Sequence, residues 1–304
     1  MNYISTLTNQ IIQMFIVIAI GLILKRIKFY SDEFIKDLGN LLFNVINPLT
    51  IFNSFVNQYS SERVKELILS FCLVTIAYAV CFILINIIFK KENGIEKFGC
   101  IIGNPGFFGL PIVISVFDQS AVFYAVATIT INSILQWTYG AYLMTRDKKE
   151  VSLKKIITNT SVISFVLGLL FFFARIPFPS IFSSTINALS SMMGPICALI
   201  VGSNLAGTDL KRLKDDLLGI VTILLRLIVV PLLFVFLLKF VDEKYFVLKF
   251  TLLITMCTPS SSSTTVFARM FNQDYEKAAR LVCVCTLLCG ITMPLITSLA
   301  IKLW

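Results

Sequence analysis

Ten apolar segments run through this chain, separated by short polar stretches, and each is long enough to cross a lipid bilayer as a helix. A helix needs about 20 apolar residues to span a hydrocarbon core of about 30 Å. The segments, numbered 1 to 10, are 8–24, 34–56, 66–89, 98–117, 119–144, 156–174, 181–206, 217–240, 245–271 and 275–301. The first lacks the basic start and the cleavage site of a signal peptide. The sequence therefore predicts an all-α polytopic membrane protein with ten transmembrane helices.

The composition supports a membrane protein and excludes several enzyme classes. Hydrophobic residues make up 57% of the 304 residues and charged residues 14%, against about a quarter charged in soluble domains. The chain has no histidine, so histidine-ligated metal sites and serine–histidine hydrolases are excluded. Its eight cysteines form no C-x-x-C pair and are expected to be small buried residues. We therefore expect no enzyme activity, no metal and no cofactor.

The positions of the lysines and arginines predict the orientation in the membrane, because cytoplasmic loops retain positive charge. One alternating set of loops carries 17 basic residues, whereas the other set, together with both termini, carries seven. The richest loop, 146–155, holds five of the 17. We expect this loop in the cytoplasm, both termini outside, and the protein in the plasma membrane. The net charge of +9 comes from these short runs and does not indicate nucleic-acid binding.

The two halves of the chain resemble one another. Gly21-Leu22 recurs 147 residues later as Gly168-Leu169. At the same offset, Asn40 followed seven residues later by Asn47-Pro48 recurs as Asn187 followed seven residues later by Gly194-Pro195. The predicted domains are a first five-helix repeat, 1–145, the cytoplasmic loop, 146–155, and a second five-helix repeat, 156–304. Because five is an odd number, the second repeat is inverted in the membrane. Inverted repeats are typical of secondary transporters, which bind their substrate where the repeats meet.

Two predicted segments are interrupted at corresponding positions. Segment 4 contains Gly103-Asn104-Pro105-Gly106-Phe107-Phe108-Gly109-Leu110-Pro111, and segment 9 contains Thr258-Pro259 followed by six further serines and threonines. Proline removes an amide donor and disfavours a helix at the residue before it. Irregular backbone is tolerated at membrane depth only where it is buried in protein or lines a cavity. Paired breaks of this kind are the best indication of a binding site that a transporter sequence offers.

The breaks predict an anion site. Half-helices that begin near the membrane centre present free amides and a partial positive charge, and such ends bind carboxylates. The candidate substrate-binding residues are Asn104, Pro105, Gly106, Pro259, Ser260, Ser261, Ser262, Ser263, Thr264 and Arg226. Further helix breaks are predicted at Asn47 and Pro48 in segment 2, and at Gly194 and Pro195 in segment 7.

Arg226 lies about nine residues into segment 8, near the centre of the bilayer. A cation at this depth costs about 2.5–3.5 kcal/mol on insertion scales. Two interpretations follow. The arginine extends toward the cytoplasm or binds backbone carbonyls, or it is the counter-charge of an anionic substrate.

The stretch from Gly103 to Pro111 resembles the G-N-x-G-F-x-G-x-P signature of the auxin efflux carrier family, which includes plant PIN proteins and bacterial malate and malonate permeases. The similarity extends through Asn47-Pro48, Arg226-Leu227 to Pro231-Leu232, and Val266-Phe267-Ala268-Arg269 to Asn272. It implies an elevator-type carrier of small carboxylates or auxin-like acids, with the NhaA and bile-acid-symporter arrangement in which broken helices 4 and 9 cross. It also implies a scaffold of helices 1, 2, 6 and 7, a transport domain of helices 3–5 and 8–10, and a homodimer.

By this resemblance Asn104 contacts the substrate and Pro259 is the crossover proline of segment 9. The chain departs from the family at Pro105, where threonine is common, and in its serine run, which replaces small apolar residues and an asparagine. Two alternatives stay open. One is a sodium-coupled organic-anion symporter of the bile-acid type, disfavoured because segment 9 has no carboxylate near its break. The other is a membrane receptor or scaffold that does not transport.

Overall fold

The computed structural model describes residues 3–147, 149 and 153–304, and these residues are predominantly helical. The helices are α1 (Tyr3–Arg26), α2 (32–53), α3 (Ser61–Ile88), α4 (Gly94–Ile101), α5 (Pro105–Phe117), α6 (Gln119–Thr145), α7 (Leu153–Ile157), α8 (Thr160–Ala174), α9 (Ser180–Ala206), α10 (Leu217–Leu238), α11 (Phe246–Met256), α12 (Ser263–Met270) and α13 (Tyr275–Leu303). Within this part of the chain, β pairing is limited to one isolated bridge. The predicted all-α class is confirmed.

Among the described residues, six helices are long and apolar enough to cross a membrane, namely α1, α3, α6, α9, α10 and α13. Large apolar side chains cover their outer faces. On α1 the exposed residues Ile12, Ile16, Ile20 and Ile23 follow one another at intervals of three or four, which places them on one side of the helix. An apolar surface of this extent fits lipid rather than water.

Two of the predicted segments are each divided into two half-helices. The stretch 98–117 contains the end of α4 and all of α5, separated by residues 102–104. The stretch 245–271 contains α11 and α12, separated by residues 257–262. Pro105 opens α5 as its first residue, a position at which its missing amide hydrogen costs nothing.

Elsewhere proline widens a helix instead of breaking it. The π-helical turn Leu42–Ile46 precedes Pro48 in α2, and the π-helical turn Leu225–Val229 precedes Pro231 in α10. A proline cannot donate to the carbonyl four residues earlier and its ring clashes with that carbonyl. Inserting one extra residue into the turn relieves the clash, and such π-bulges are frequent at functional sites. Arg226 lies in the second of these turns.

Glycines allow the closest helix contacts. A Cβ atom at Gly21 on α1 would lie 2.6 Å from the carbonyl oxygen of Leu199 on α9, and one at Gly168 on α8 would lie 2.7 Å from the ring of Phe55. Small residues let helix backbones approach in a membrane, where dispersion forces replace the hydrophobic effect as the main attraction. Gly21 and Gly168, the pair noted in the sequence repeat, are thus both packing positions.

Hydrogen bonds between side chains join α2 to α8 and α9. The amide nitrogen Nδ2 of Asn47 donates to Oγ of Ser161 (3.0 Å), and the hydroxyls of Thr50 and Ser190 lie 2.6 Å apart. Bonds of this kind contribute about 0.6 kcal/mol each in membrane proteins. Together with the contact between α1 and α9, they hold α2 beside the first turn of α5.

Candidate functional site

The two helix breaks contact each other through their backbones. Asn104 donates its amide hydrogen to the Pro259 carbonyl (3.0 Å), and Ser261 donates to the Ile102 carbonyl (3.0 Å). Gly103 and Ser260 are therefore an antiparallel bridge pair. All six residues are buried, and buried backbone groups need partners. This short ladder supplies them where both helices are interrupted.

Asn132, on α6, holds the first break from outside. Its side-chain oxygen accepts from the Gly103 amide (3.0 Å), and its side-chain nitrogen donates to the Gly103 carbonyl (3.2 Å). The Tyr78 hydroxyl donates to the same Asn132 oxygen (3.0 Å), which fixes the orientation of the amide. Asn132 was not among the residues predicted from sequence. The available signal was an amide in the middle of an apolar segment, where an unpaired polar group is costly.

The second break contacts α13 through two cysteines. The Ser260 amide donates to Sγ of Cys285 on α13 (3.3 Å), and Sγ of Cys289 donates to the Cys257 carbonyl (3.3 Å). Sulfur is a weak donor and a weak acceptor. The cysteines were expected to be small buried residues, and seven of the eight are buried, whereas Cys72 is exposed.

Arg226 binds the C-terminal ends of both interrupted helices and is only 1% exposed. Nε donates to the Thr258 carbonyl (2.9 Å), Nη1 to the Cys100 carbonyl (3.2 Å) and Nη2 to the Thr258 hydroxyl (3.2 Å). Cys100 lies in the last turn of α4 and Thr258 just beyond α11. Carbonyls at helix C-termini carry partial negative charge, which the guanidinium neutralises. Of the two interpretations of Arg226, binding to backbone carbonyls describes the contacts present.

Gly103 makes room for this guanidinium. A Cβ atom on Gly103 would overlap Nη2 of Arg226 and lie 3.0 Å from the hydroxyl oxygen of Thr258. A larger residue would push the arginine away from the carbonyls that it binds. Close approach of backbone to another group is a standard reason for a glycine. Asn132, Gly103 and Arg226 thus form one unit, in which the asparagine holds the backbone and the missing side chain admits the arginine.

The N-terminal end of α5 keeps unpaired donors. Asn104 is 6% exposed, yet its side-chain amide forms no hydrogen bond with any described residue. The backbone amides of Gly106 and Phe107, in the first turn of α5, likewise donate to no group in that part of the chain. Such first-turn amides have no acceptor within their own helix. Three hydrogen-bond donors at the start of α5 therefore have no acceptor within the described residues.

The N-terminal end of α12 contributes fewer hydroxyls than the sequence suggests. The Ser263 hydroxyl donates to the Ser261 hydroxyl (2.8 Å), and the Thr265 hydroxyl donates to the Ser262 carbonyl (2.7 Å). The hydroxyls of Ser262 and Thr264 are unpaired within the described residues, and that of Thr264 is buried.

Asn47 and Gly194 face α5 from α2 and α9. A Cβ atom at Gly106 would lie 3.4 Å from Oδ1 of Asn47, and one at Gly194 would lie 3.2 Å from Cβ of Pro111. Oδ1 of Asn47 is buried and has no hydrogen-bond partner within the described chain. An unpaired acceptor therefore lies beside the first turn of α5, where the unpaired amides are.

The four predicted prolines differ in exposure. Pro48, Pro105 and Pro259 are buried, whereas Pro195 is exposed on α9. Pro105 starts α5, and the carbonyl of Pro259 accepts the Asn104 amide. These two prolines therefore shape the crossing directly.

The four half-helix ends at the crossing are sorted by charge. The carbonyls at the C-terminal ends of α4 and α11 are bound by a buried cation, and the ion pairs of the described residues include none with Arg226. The N-terminal ends of α5 and α12 keep unpaired amides and hydroxyls. Positive charge and hydrogen-bond donors that lack an acceptor are complementary to an anion.

Architecture and comparison identify the class. Long apolar helices around two interrupted helices that meet at a polar crossing define a multi-pass membrane protein of the transporter class. The membrane transport protein family matches residues 6–157 and 144–297, so this chain belongs to that family, the group of the auxin efflux carriers that its crossing motif resembles. An uncharacterized transporter of Methanocaldococcus jannaschii is 25% identical over 292 residues, which are 89% of this chain and 91% of that protein. The family prediction is confirmed.

Proposed function

We propose that this membrane transporter is a secondary carrier of small organic anions, such as mono- or dicarboxylates or auxin-like acids, bound where the two broken helices cross. One observation carries this proposal: the C-terminal half-helix ends at the crossing are bound by a cation, whereas the N-terminal ends keep donors that are unpaired within the described residues. Asn104 is buried with an unpaired amide, and Arg226 leaves a net positive charge at the crossing that no described carboxylate neutralises through an ion pair. A carboxylate satisfies both, because it accepts several charge-assisted hydrogen bonds.

In the proposed complex the substrate carboxylate lies at the first turn of α5. The side-chain amide of Asn104 and the backbone amides of Gly106 and Phe107 donate to it, and the hydroxyls of Ser262 and Thr264 are further donors. Arg226 acts through its charge, since three of its N–H groups already bind the chain. In a site of low dielectric constant the field of a nearby cation is weakly screened.

The proposed carrier has ten transmembrane helices in two inverted repeats and works as an elevator. Segments 1, 2, 6 and 7 form the scaffold, and segments 3–5 and 8–10 form a transport domain that carries the crossing past it. The hydrogen bonds that join α2 to α8 and α9 support a scaffold that stays one rigid body while the transport domain moves. The contacts of Asn47 with Gly106 and of Gly194 with Pro111 support a sliding face, because small residues let packed helices shift.

The remaining features of the proposal follow from charge and from family resemblance. The excess of basic residues in loop 146–155 favours a cytoplasmic loop and outside termini. The protein is proposed to act in the plasma membrane as a homodimer. It needs no cofactor for exchange down a gradient.

Counterflow in proteoliposomes tests the proposed function. Vesicles loaded with an unlabelled carboxylate should take up the same labelled carboxylate faster than empty vesicles, because a carrier returns loaded more readily than it returns empty. Monocarboxylates, dicarboxylates and indole carboxylates are compared as separate substrates. Protein-free vesicles are the control.

The outcomes separate the alternatives. Counterflow that is unchanged when sodium is replaced by N-methylglucamine supports the carrier, whereas loss of uptake without sodium indicates a sodium-coupled symporter. Saturable carboxylate binding without any flux indicates a receptor or scaffold and contradicts the proposal. If the protein shows no binding of any of the three substrate classes and no flux with any of them, small carboxylates are excluded as its substrate.

A further inference from the structure

We infer that Arg226 is a built-in substitute for a bound monovalent cation, and that its guanidinium occupies a cation site formed by oxygen atoms at the C-terminal ends of the two interrupted helices. Without the arginine, this site would take an alkali cation such as sodium. What the inference says about transport rests on the proposed function. What it says about the stability of Arg226 variants depends only on the contacts of Arg226.

The oxygen atoms around the guanidinium are those that bind hard cations. They are the carbonyls of Cys100 and Thr258 and the hydroxyl of Thr258, so both interrupted helices contribute. In carriers with broken helices, unwound carbonyls and half-helix C-terminal ends coordinate the coupling cation. Here oxygens of that type accept hydrogen bonds from a side chain. The charge that a mobile ion would supply is thus attached to the protein.

The surroundings of Arg226 are built to keep it there. Gly103 lacks the Cβ atom that would overlap the guanidinium, and Asn132 fixes the Gly103 backbone on both sides. The arginine is 1% exposed and lies in the π-helical turn Leu225–Val229. A buried charge is costly unless it is paired or hydrogen-bonded, and the two helix C-termini supply that compensation. The guanidinium is therefore a fixed occupant and not an exchanging one.

This arrangement has a consequence that a simple counter-charge would not have. If Arg226 served only to attract the substrate, its removal would weaken anion binding in every salt. If it fills a cation site, its removal leaves carbonyls from two helix ends unpaired, and a small cation added to the buffer restores both charge and stability. The response of an arginine-free variant to cations therefore distinguishes the two roles.

Thermal unfolding of purified full-length Arg226→Ala in detergent tests the inference. In N-methylglucamine chloride its Tm should fall by roughly 5 °C or more, because several hydrogen bonds to a charged donor are lost. Sodium, or millimolar guanidinium, which is far below denaturing concentrations, should restore much of that loss in a saturable way at constant ionic strength. Wild-type Tm should not distinguish sodium from N-methylglucamine.

Two variants serve as controls. Arg63→Ala removes a part-buried arginine whose Nη1 also donates to a backbone carbonyl, that of Ser120 (3.5 Å), and its loss of stability should not be restored by cations. Arg226→Lys keeps an attached cation and should be indifferent to the added one. Should Arg226→Ala yield no folded protein, Arg226→Gln, which keeps a donor without charge, replaces it.

The inference is overturned if sodium and guanidinium raise the Tm of the uncharged Arg226 variant no more than that of Arg63→Ala. Transport then separates the two proposals. Wild-type counterflow together with a cation-insensitive variant would reject the cation site and keep the carrier. Cation-dependent stability of the variant without wild-type counterflow would keep the cation site and reject the carrier.

Discussion

The two helix breaks meet at one crossing, yet they are held in different ways. The first, 102–104, is fixed from outside, because Asn132 pairs with both backbone groups of Gly103. The second, 257–262, is held partly through its own side chains: the Thr258 hydroxyl accepts from Arg226, which also donates to the Thr258 carbonyl, and the Ser260 hydroxyl donates to the Gly99 carbonyl of α4 (2.7 Å). The first break keeps the side chain of Asn104 unpaired within the described residues, and the second keeps the hydroxyl of Ser262 unpaired there. Because Asn132 binds the backbone of the first break, the one polar side chain of that break remains available for a ligand.

The chemistry of the two breaks explains this difference. Serine and threonine hydroxyls bond readily to nearby backbone groups, so a hydroxyl-rich break satisfies itself and becomes rigid. Ile102 and Gly103 have no polar side chain, so the backbone of the first break needs an outside partner. We expect substitutions at the first break to divide between those that disturb folding and those that disturb binding, whereas most at the second break should affect folding.

The largest effect is expected for Gly103→Ala. The added methyl group overlaps the guanidinium of Arg226, and overpacking costs typically 1–3 kcal/mol, so we expect the free energy of unfolding to fall by about 3 kcal/mol. Gly39→Ala is the matched control, because a Cβ atom there meets nothing within 4 Å. Alanine in place of glycine inside a helix should stabilise by roughly 0.5–1 kcal/mol. Denaturant unfolding in detergent measures both, and equal effects would contradict the tight fit at Gly103.

The sequence indicated where the helices break but not what holds the breaks. Proline, glycine and hydroxyl runs predicted the interruptions in segments 4 and 9, because these residues act locally on the backbone. The partners of Arg226 and Asn132 are backbone groups, and a backbone group has no sequence identity that a pattern can show. The hydroxyls of Ser260 and Ser263 looked available for the same reason, since their acceptors depend on the folded geometry.

The second prediction compares Asn132, which binds the backbone of the first break, with Cys285, which contacts the second break. Asn132→Ala leaves the amide and the carbonyl of Gly103 unpaired, and a buried unpaired group costs about 1–3 kcal/mol, so we expect a loss of about 2 kcal/mol in unfolding free energy. Cys285→Ala removes only the sulfur contacts of Ser260 and should cost under about 1 kcal/mol. Both are measured by denaturant unfolding in detergent. A larger loss of unfolding free energy for Cys285→Ala than for Asn132→Ala would contradict this prediction.

The third prediction concerns binding. Asn104→Ala removes a side chain that has no partner among the described residues, so unfolding free energy should change little, while carboxylate affinity should fall by about 1–3 kcal/mol. Ser260→Ala should do the opposite, because its hydroxyl bonds to the Gly99 carbonyl. Calorimetric titration of the folded variants with the transported carboxylate measures the affinity. If Asn104→Ala binds with wild-type affinity, the site does not lie at the crossing.

The smallest effect is expected within the serine run. It tests whether a hydroxyl that is unpaired in the structure contributes more to carboxylate affinity than one that is already hydrogen-bonded. Ser262 has an unpaired, partly exposed hydroxyl, whereas the neighbouring Ser263 hydroxyl already donates to Ser261 (2.8 Å). Ser262→Ala should lower carboxylate affinity by about 0.5–1.5 kcal/mol, the net contribution of one hydrogen bond. Ser263→Ala should leave affinity near wild type and lower stability slightly, because it breaks a bond that fixes the start of α12. The same titration, run beside thermal unfolding, gives both quantities. Equal affinity losses for the two variants would mean that the run rearranges when substrate binds, so that its hydroxyls act together.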